Sequence, residues 1–134
     1  MPLKNNETDG IISRKRIEAY IAADENIAEV AETDAAQTLT ASELIVSKLF
    51  TCTPSAARNF TTATAAQIVA HLVDEAAGTS FEFTIVNKAA DTHAITLVGG
   101  TNVTVVGAAA VAAASSGTFV GVVQSDNTVK VYRK

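Results

Sequence analysis

The chain has no tryptophan, and aromatic residues make up only 5% of its 134 positions. A core built mainly from Val, Ile, Leu and Ala buries little area per residue, which favours oligomerisation as added burial. There is one cysteine, Cys52, so an internal disulfide is excluded and the thiol reads as a small buried hydrophobe. The only histidines, His71 and His93, share no two-to-five residue spacing with each other or with Cys52, and no metal site is expected. No Gly-x-Ser-x-Gly elbow is present. Val98-Gly99-Gly100-Thr101-Asn102 lacks the lysine and helix of a phosphate loop, and reads as a turn. No catalytic residue, cofactor or small-molecule substrate is therefore expected, and the chain reads as a non-enzyme.

Long runs of large aliphatics are also missing. The most apolar stretch, 103–123, holds three glycines, two serines and two threonines, which argues against a membrane helix. The start, MPLKNNETDG, lacks a basic segment leading into an apolar run, so no cleaved secretory signal is expected. Basic charge is scarce as well. Arg14-Lys15-Arg16 is a short triplet closely followed by acids, too little for nucleic-acid binding.

The net charge of −4 is unevenly placed. Residues 1–36 carry four basic and eight acidic side chains, whereas the remainder carries six of each, which marks a boundary near Ala35 to Gln37. The reading is an N-terminal arm over 1–36 and one β-rich domain over 37–134. In the arm, Ile17, Tyr20, Ile21 and Ala28 follow helical spacing in a stripe too narrow to form a core unaided. Such a segment gains order by lying on another surface.

Within the domain, Thr40-Ala41-Ser42-Glu43 reads as a capping box opening one helical turn, followed by a strand over 46–53, with a helix continuing through Phe50 as the alternative. PSAARNFT reads as a loop. Thr64-Ala65-Ala66-Gln67 is a second capping box, with Ala65, Ile68, Val69 and Leu72 on one face of a helix near 63–75. The segments SFEFTIVN, HAITLV, NVTVVG, TFVGVVQ and TVKVYRK then alternate as strands, with Ser125-Asp126-Asn127 as a hairpin turn. The fold class expected is mostly β with one or two short helices: a meandering antiparallel β-sandwich or small barrel, with an extended or partly helical arm. The alanine-rich 107–117, whose composition alone would suit a helix, reads as a short strand-like crossing anchored by Val111. Its alanines are expected to be close-packed, where a neighbouring backbone or subunit leaves no room for a larger side chain.

The pieces LTASELIVSKLFTCTPSAARNFTTATAAQIVAHL, GTSFEFTIVNKAADTHAITLVGGTNVTVVG and SSGTFVGVVQSDNTVKVYR, spanning about Leu39 to Tyr132, together resemble small bacteriophage virion proteins. The middle piece carries most of the likeness, with a strand ending in Val-Asn, a short turn, a threonine-leucine strand and a Gly-Thr-x-Val-Thr hairpin. The resemblance implies a β-rich homotrimer that binds other virion proteins: a capsid decoration or cement protein stabilising the major capsid protein lattice. Such a protein would be made in the host cytoplasm and sit on the outer surface of the capsid in the virion. A tail-associated adhesion or carbohydrate-binding module is the alternative. In the decoration reading the arm residues Arg14, Arg16, Ile17, Tyr20 and Ile21 contact the capsid, and Val111, Phe119 and Val122 form the trimer seam. No nucleic acid, membrane or small-molecule partner is expected.

Overall fold

Period-two alternation governs the architecture. In SFEFTIVN the side chains of Phe81, Phe83, Ile85 and Asn87 are buried, while Ser80, Glu82, Thr84 and Val86 point the other way. The computed structural model describes residues 27–72 and 76–134. Along these the elements are β1 (Ala28–Ala31), β2 (Gln37–Leu39), a π-helical turn (Glu43–Ser47), β3 (Lys48–Cys52), β4 (Arg58–Thr62), α1 (Ala65–His71) and β5 (Ser80–Asn87). There follow β6 (Ile95–Val98), β7 (Val103–Val106), β8 (Ala110–Val111), β9 (Ser115–Val123) and β10 (Val129–Arg133).

All five strands expected in the C-terminal half form, but their pairing corrects the antiparallel meander. The larger sheet runs β1-β3-β5-β9-β10-β7 and the smaller β2-β4-β6-β8, so the chain changes sheet at every connection until β9. A chain that crosses and returns re-enters each sheet in the same direction, which makes five of the eight ladders parallel. Only β5–β9, β9–β10 and β6–β8 are antiparallel among the described residues. Neither sheet closes into a barrel in the described residues. Ser125-Asp126-Asn127 does form the β9–β10 hairpin, with Asn127 at φ 58°. NKAADT and GGT instead carry the chain from one sheet to the other.

Asn87 fixes one of these crossings. At the end of β5 its buried amide donates to the carbonyls of His93 (2.7 Å) and Val111 (3.0 Å) and accepts from the Ala89 amide (3.0 Å). One side chain thus ties β5, the connection to β6, and β8 together, with its hydrogen-bonding capacity satisfied.

Both capping boxes form. Thr40 and Glu43 exchange bonds of 3.0 and 3.2 Å, and Thr64 and Gln67 do the same at 3.0 and 3.2 Å. The first opens the π-helical turn, which Lys48 ends at φ 66°, and β3 starts there rather than at Val46. The second opens α1, whose Ala65, Ile68 and Val69 are buried; this helix ends at His71, short of the expected 75. The loop reading of 54–61 is corrected in part, because Arg58–Thr62 is β4, with Phe60 and Thr62 turned inward at alternate positions.

The arm boundary also needs correction at its C-terminal end. Ala28–Ala31 is not helical but pairs in parallel with Lys48–Thr51. Asp34 then accepts hydrogen bonds from Arg58 Nε (2.8 Å) and from the Ser55 amide (3.1 Å) and hydroxyl. These donors hold the Asp34 carboxyl well below the usual carboxylate range. Residues 28–36 are therefore built into the domain; of the arm's helical pattern, Ile17, Tyr20 and Ile21 lie outside the described residues.

Four of the five phenylalanines form one cluster. Phe83 stacks with Phe119 (5.5 Å between centroids) and Phe81 (6.1 Å), and meets Phe50 edge-on at 6.1 Å. The inward face of β9 reads Gly117, Phe119, Gly121, Val123, and the glycines make the slots. A Cβ on Gly121 would lie 2.2 Å from the Phe81 ring, and one on Gly117 would lie 2.7 Å from the Arg133 guanidinium carbon. That guanidinium sits 5.1 Å from the Phe119 centroid and donates to the carbonyls of Ala108 and Ala110, which closes this end of the core. Cys52 is buried as expected, and burial pushes its thiol pKa up.

The alanine run is a strand-like crossing anchored by a fully buried Val111, as the sequence suggests, and no described helix is long and apolar enough to cross a membrane. Its close packing does not hold within the chain, because Ala110 and Ala112 are exposed. Ala114 sits at φ 54°, a left-handed conformation that costs an L-residue roughly 1–2 kcal/mol. After glycine's larger entropic loss, Ala114→Gly is expected to stabilise the fold by up to about 1 kcal/mol, read as a higher urea midpoint at unchanged slope.

Candidate interaction surface

The same alternation that fills the core sets the outward face of the larger sheet. Strand register aligns its side chains in four rows. Ser80, Val122, Lys130 and Thr104 form one, and Glu82, Val120, Tyr132 and Val106 form the next. Glu29, Leu49, Thr84 and Thr118 form the third, and Ala31, Thr51, Val86 and Ser116 the fourth.

Polar groups on this face are mostly paired with one another. Thr84 and Thr118 share a hydroxyl bond of 3.0 Å, Thr51 donates to Glu29 at 2.6 Å, and Lys134 pairs with Glu82 at 3.0 Å. Among the described residues the apolar side chains have no such cover. Tyr132 is 39% exposed and Val106 40%, with half-buried Val120 and Val122 beside them, so an apolar strip crosses β9, β10 and β7. A one-sided sheet normally alternates apolar-in with polar-out, and this strip departs from that pattern.

Of the three seam residues read from sequence, only Val122 lies here. Val111 and Phe119 have no exposed surface, so each fills its own chain's core and presents nothing to a neighbour. The alternation itself separates them: Phe119 and Val122 are three positions apart on one strand, and so face opposite sides. Tyr132, Val106 and Val120 lie on this face beside Val122. Their signal was the phase opposite to buried Val129, Val131, Val103 and Phe119. Arg14, Arg16, Ile17, Tyr20 and Ile21 lie outside the described residues.

Other chemistry-bearing groups stay apart. His71 is exposed at the end of α1, His93 is half-buried before β6, and Cys52 is in the core. No group of three or more His, Cys, Asp or Glu that could hold a metal occurs among the described residues. Two shallow depressions flank α1, one lined by Thr38, Thr40, Ala63 and Gln67, the other by Ala66, Val69, Asn102, Asp126 and Asn127. In the second, the Thr128 hydroxyl holds the Asp126 carboxyl below its ordinary value. Neither gathers a nucleophile with a base. Comparison with protein-family models, curated proteins and solved structures gives no match to this chain.

Proposed function

We propose that this chain is a bacteriophage virion structural protein of the capsid decoration (cement) type. It acts as a homotrimer on the outer capsid surface, binding the major capsid protein and stabilising its lattice, and it performs no catalytic step. In this reading the two sheets are the layers of a sandwich, and Arg14, Arg16, Ile17, Tyr20 and Ile21 reach neighbouring capsid subunits. Three modest footprints acting together then give strong attachment. The observation that carries the reading is the solvent-facing apolar strip of Val106, Tyr132 and Val120, which suits a protein that works by contact with other proteins. The virion-like segments from Leu39 to Tyr132 supply the choice of partner.

The test is co-sedimentation of the purified protein at micromolar concentration with decoration-free capsids and, separately, with host cells. Recovery in the capsid pellet is expected. Absence there overturns the decoration reading, and recovery with cells instead favours a tail-associated adhesion module.

A further inference from the structure

We infer that the outward face of the larger sheet, over β9, β10 and β7, is the seam between copies of this chain. The inference rests on the assembly reading above and names the surface and its occupant. Three observations meet on this face.

The first is the apolar strip, which the chain's own core does not use, since the inward residues of these strands already fill it. Its central member is a tyrosine, a residue type that supplies large contact area at low entropic cost and dominates contact energies between proteins.

The second is charge. Around the strip this face carries one acid, Glu82, and two bases, Lys130 and Lys134, so it lacks the negative excess of the whole chain, which is at −4. Copies of an acidic chain repel one another least where their surface is not itself acidic. A surface with both signs side by side can also pair with the same surface on another copy, which a one-sign surface cannot do.

The third is the edge. Among the described residues β7 has one strand partner, β10, and its VTVV contains neither charge nor proline. Exposed edges normally carry such guards against pairing with another chain, and an unguarded edge bordering an apolar strip is suited to being covered.

The experiment uses the full chain alone, without capsids, so its outcome is separate from that of co-sedimentation. Sedimentation equilibrium of the wild type should give a mass that is a multiple of 13.9 kDa. Tyr132→Asp should weaken self-association on the order of 100-fold, as expected for a central interface tyrosine. Val106→Asp, at the exposed edge, should act in the same direction, and circular dichroism checks that both variants stay folded. Hydrogen exchange on the wild type adds a reading that needs no variant: amides of residues 103–106 should lose protection on dilution, while those of β5 should not. A wild type of single-chain mass up to high micromolar concentration overturns the inference. So does an unchanged mass in folded Tyr132→Asp and Val106→Asp, or protection of 103–106 independent of concentration.

Discussion

Phe83→Ala is expected to cost about 4 kcal/mol, roughly a quarter or more of the stability of a typical domain. Phe83 is 1% exposed and is the shared member of three ring contacts, with Phe50, Phe81 and Phe119. Its removal opens a cavity and also deletes the stacking of each partner, worth roughly 0.5–1.5 kcal/mol per pair. The neighbours cannot close the gap easily. Phe81 is held in the slot over Gly121, and Phe119 lies beneath the Arg133 guanidinium. Urea unfolding followed by circular dichroism checks the loss; a change below about 1.5 kcal/mol would mean that the cluster repacks.

The second large effect is expected at Asn87. Asn87→Asp keeps the shape but replaces a donor facing the carbonyls of His93 and Val111 with an acceptor. At neutral pH the buried carboxylate is uncompensated, and the loss should reach roughly 3–5 kcal/mol. Burial and the facing carbonyls raise its folded pKa above the unfolded value of about 3.9. The charge penalty is therefore absent below that value, grows as pH rises above it, and levels off at the raised folded pKa. Stability of Asn87→Asp measured relative to wild type across this range should recover in acid. A pH-independent difference would show that the loss comes from geometry alone.

Local features were legible in the sequence because their causes are local. Both capping boxes, the five C-terminal strands, the β9–β10 turn and the buried Cys52 and Val111 follow from neighbours within a few residues. Sheet membership was not, since nothing in NKAADT distinguishes a hairpin turn from a crossing pinned by Asn87. β4 was hidden because PSAARNFT is rich in loop formers, and its strand state depends on pairing with β2 and β6 on either side. The outward positions could have been read by phase alone, which sets Tyr132 and Val122 outward and Phe119 inward. That Val120, Tyr132 and Val106 fall in a single row depends on register between three strands, and no single segment encodes it.

The order in which the strands join the larger sheet has a consequence during synthesis. β9 fills the place between β5 and β10, yet it is the ninth of the described strands to be synthesised. Until residue 123 is made, β5 lacks its antiparallel neighbour, and β7 waits longer still, for β10. Nearly every ladder joins segments distant in sequence, a topology that closes slowly. The nascent chain therefore carries an incomplete sheet, with Phe83 lacking its Phe119 neighbour, until β9 emerges, and the interval before β9 docks is the one in which apolar surface is most open to a chaperone.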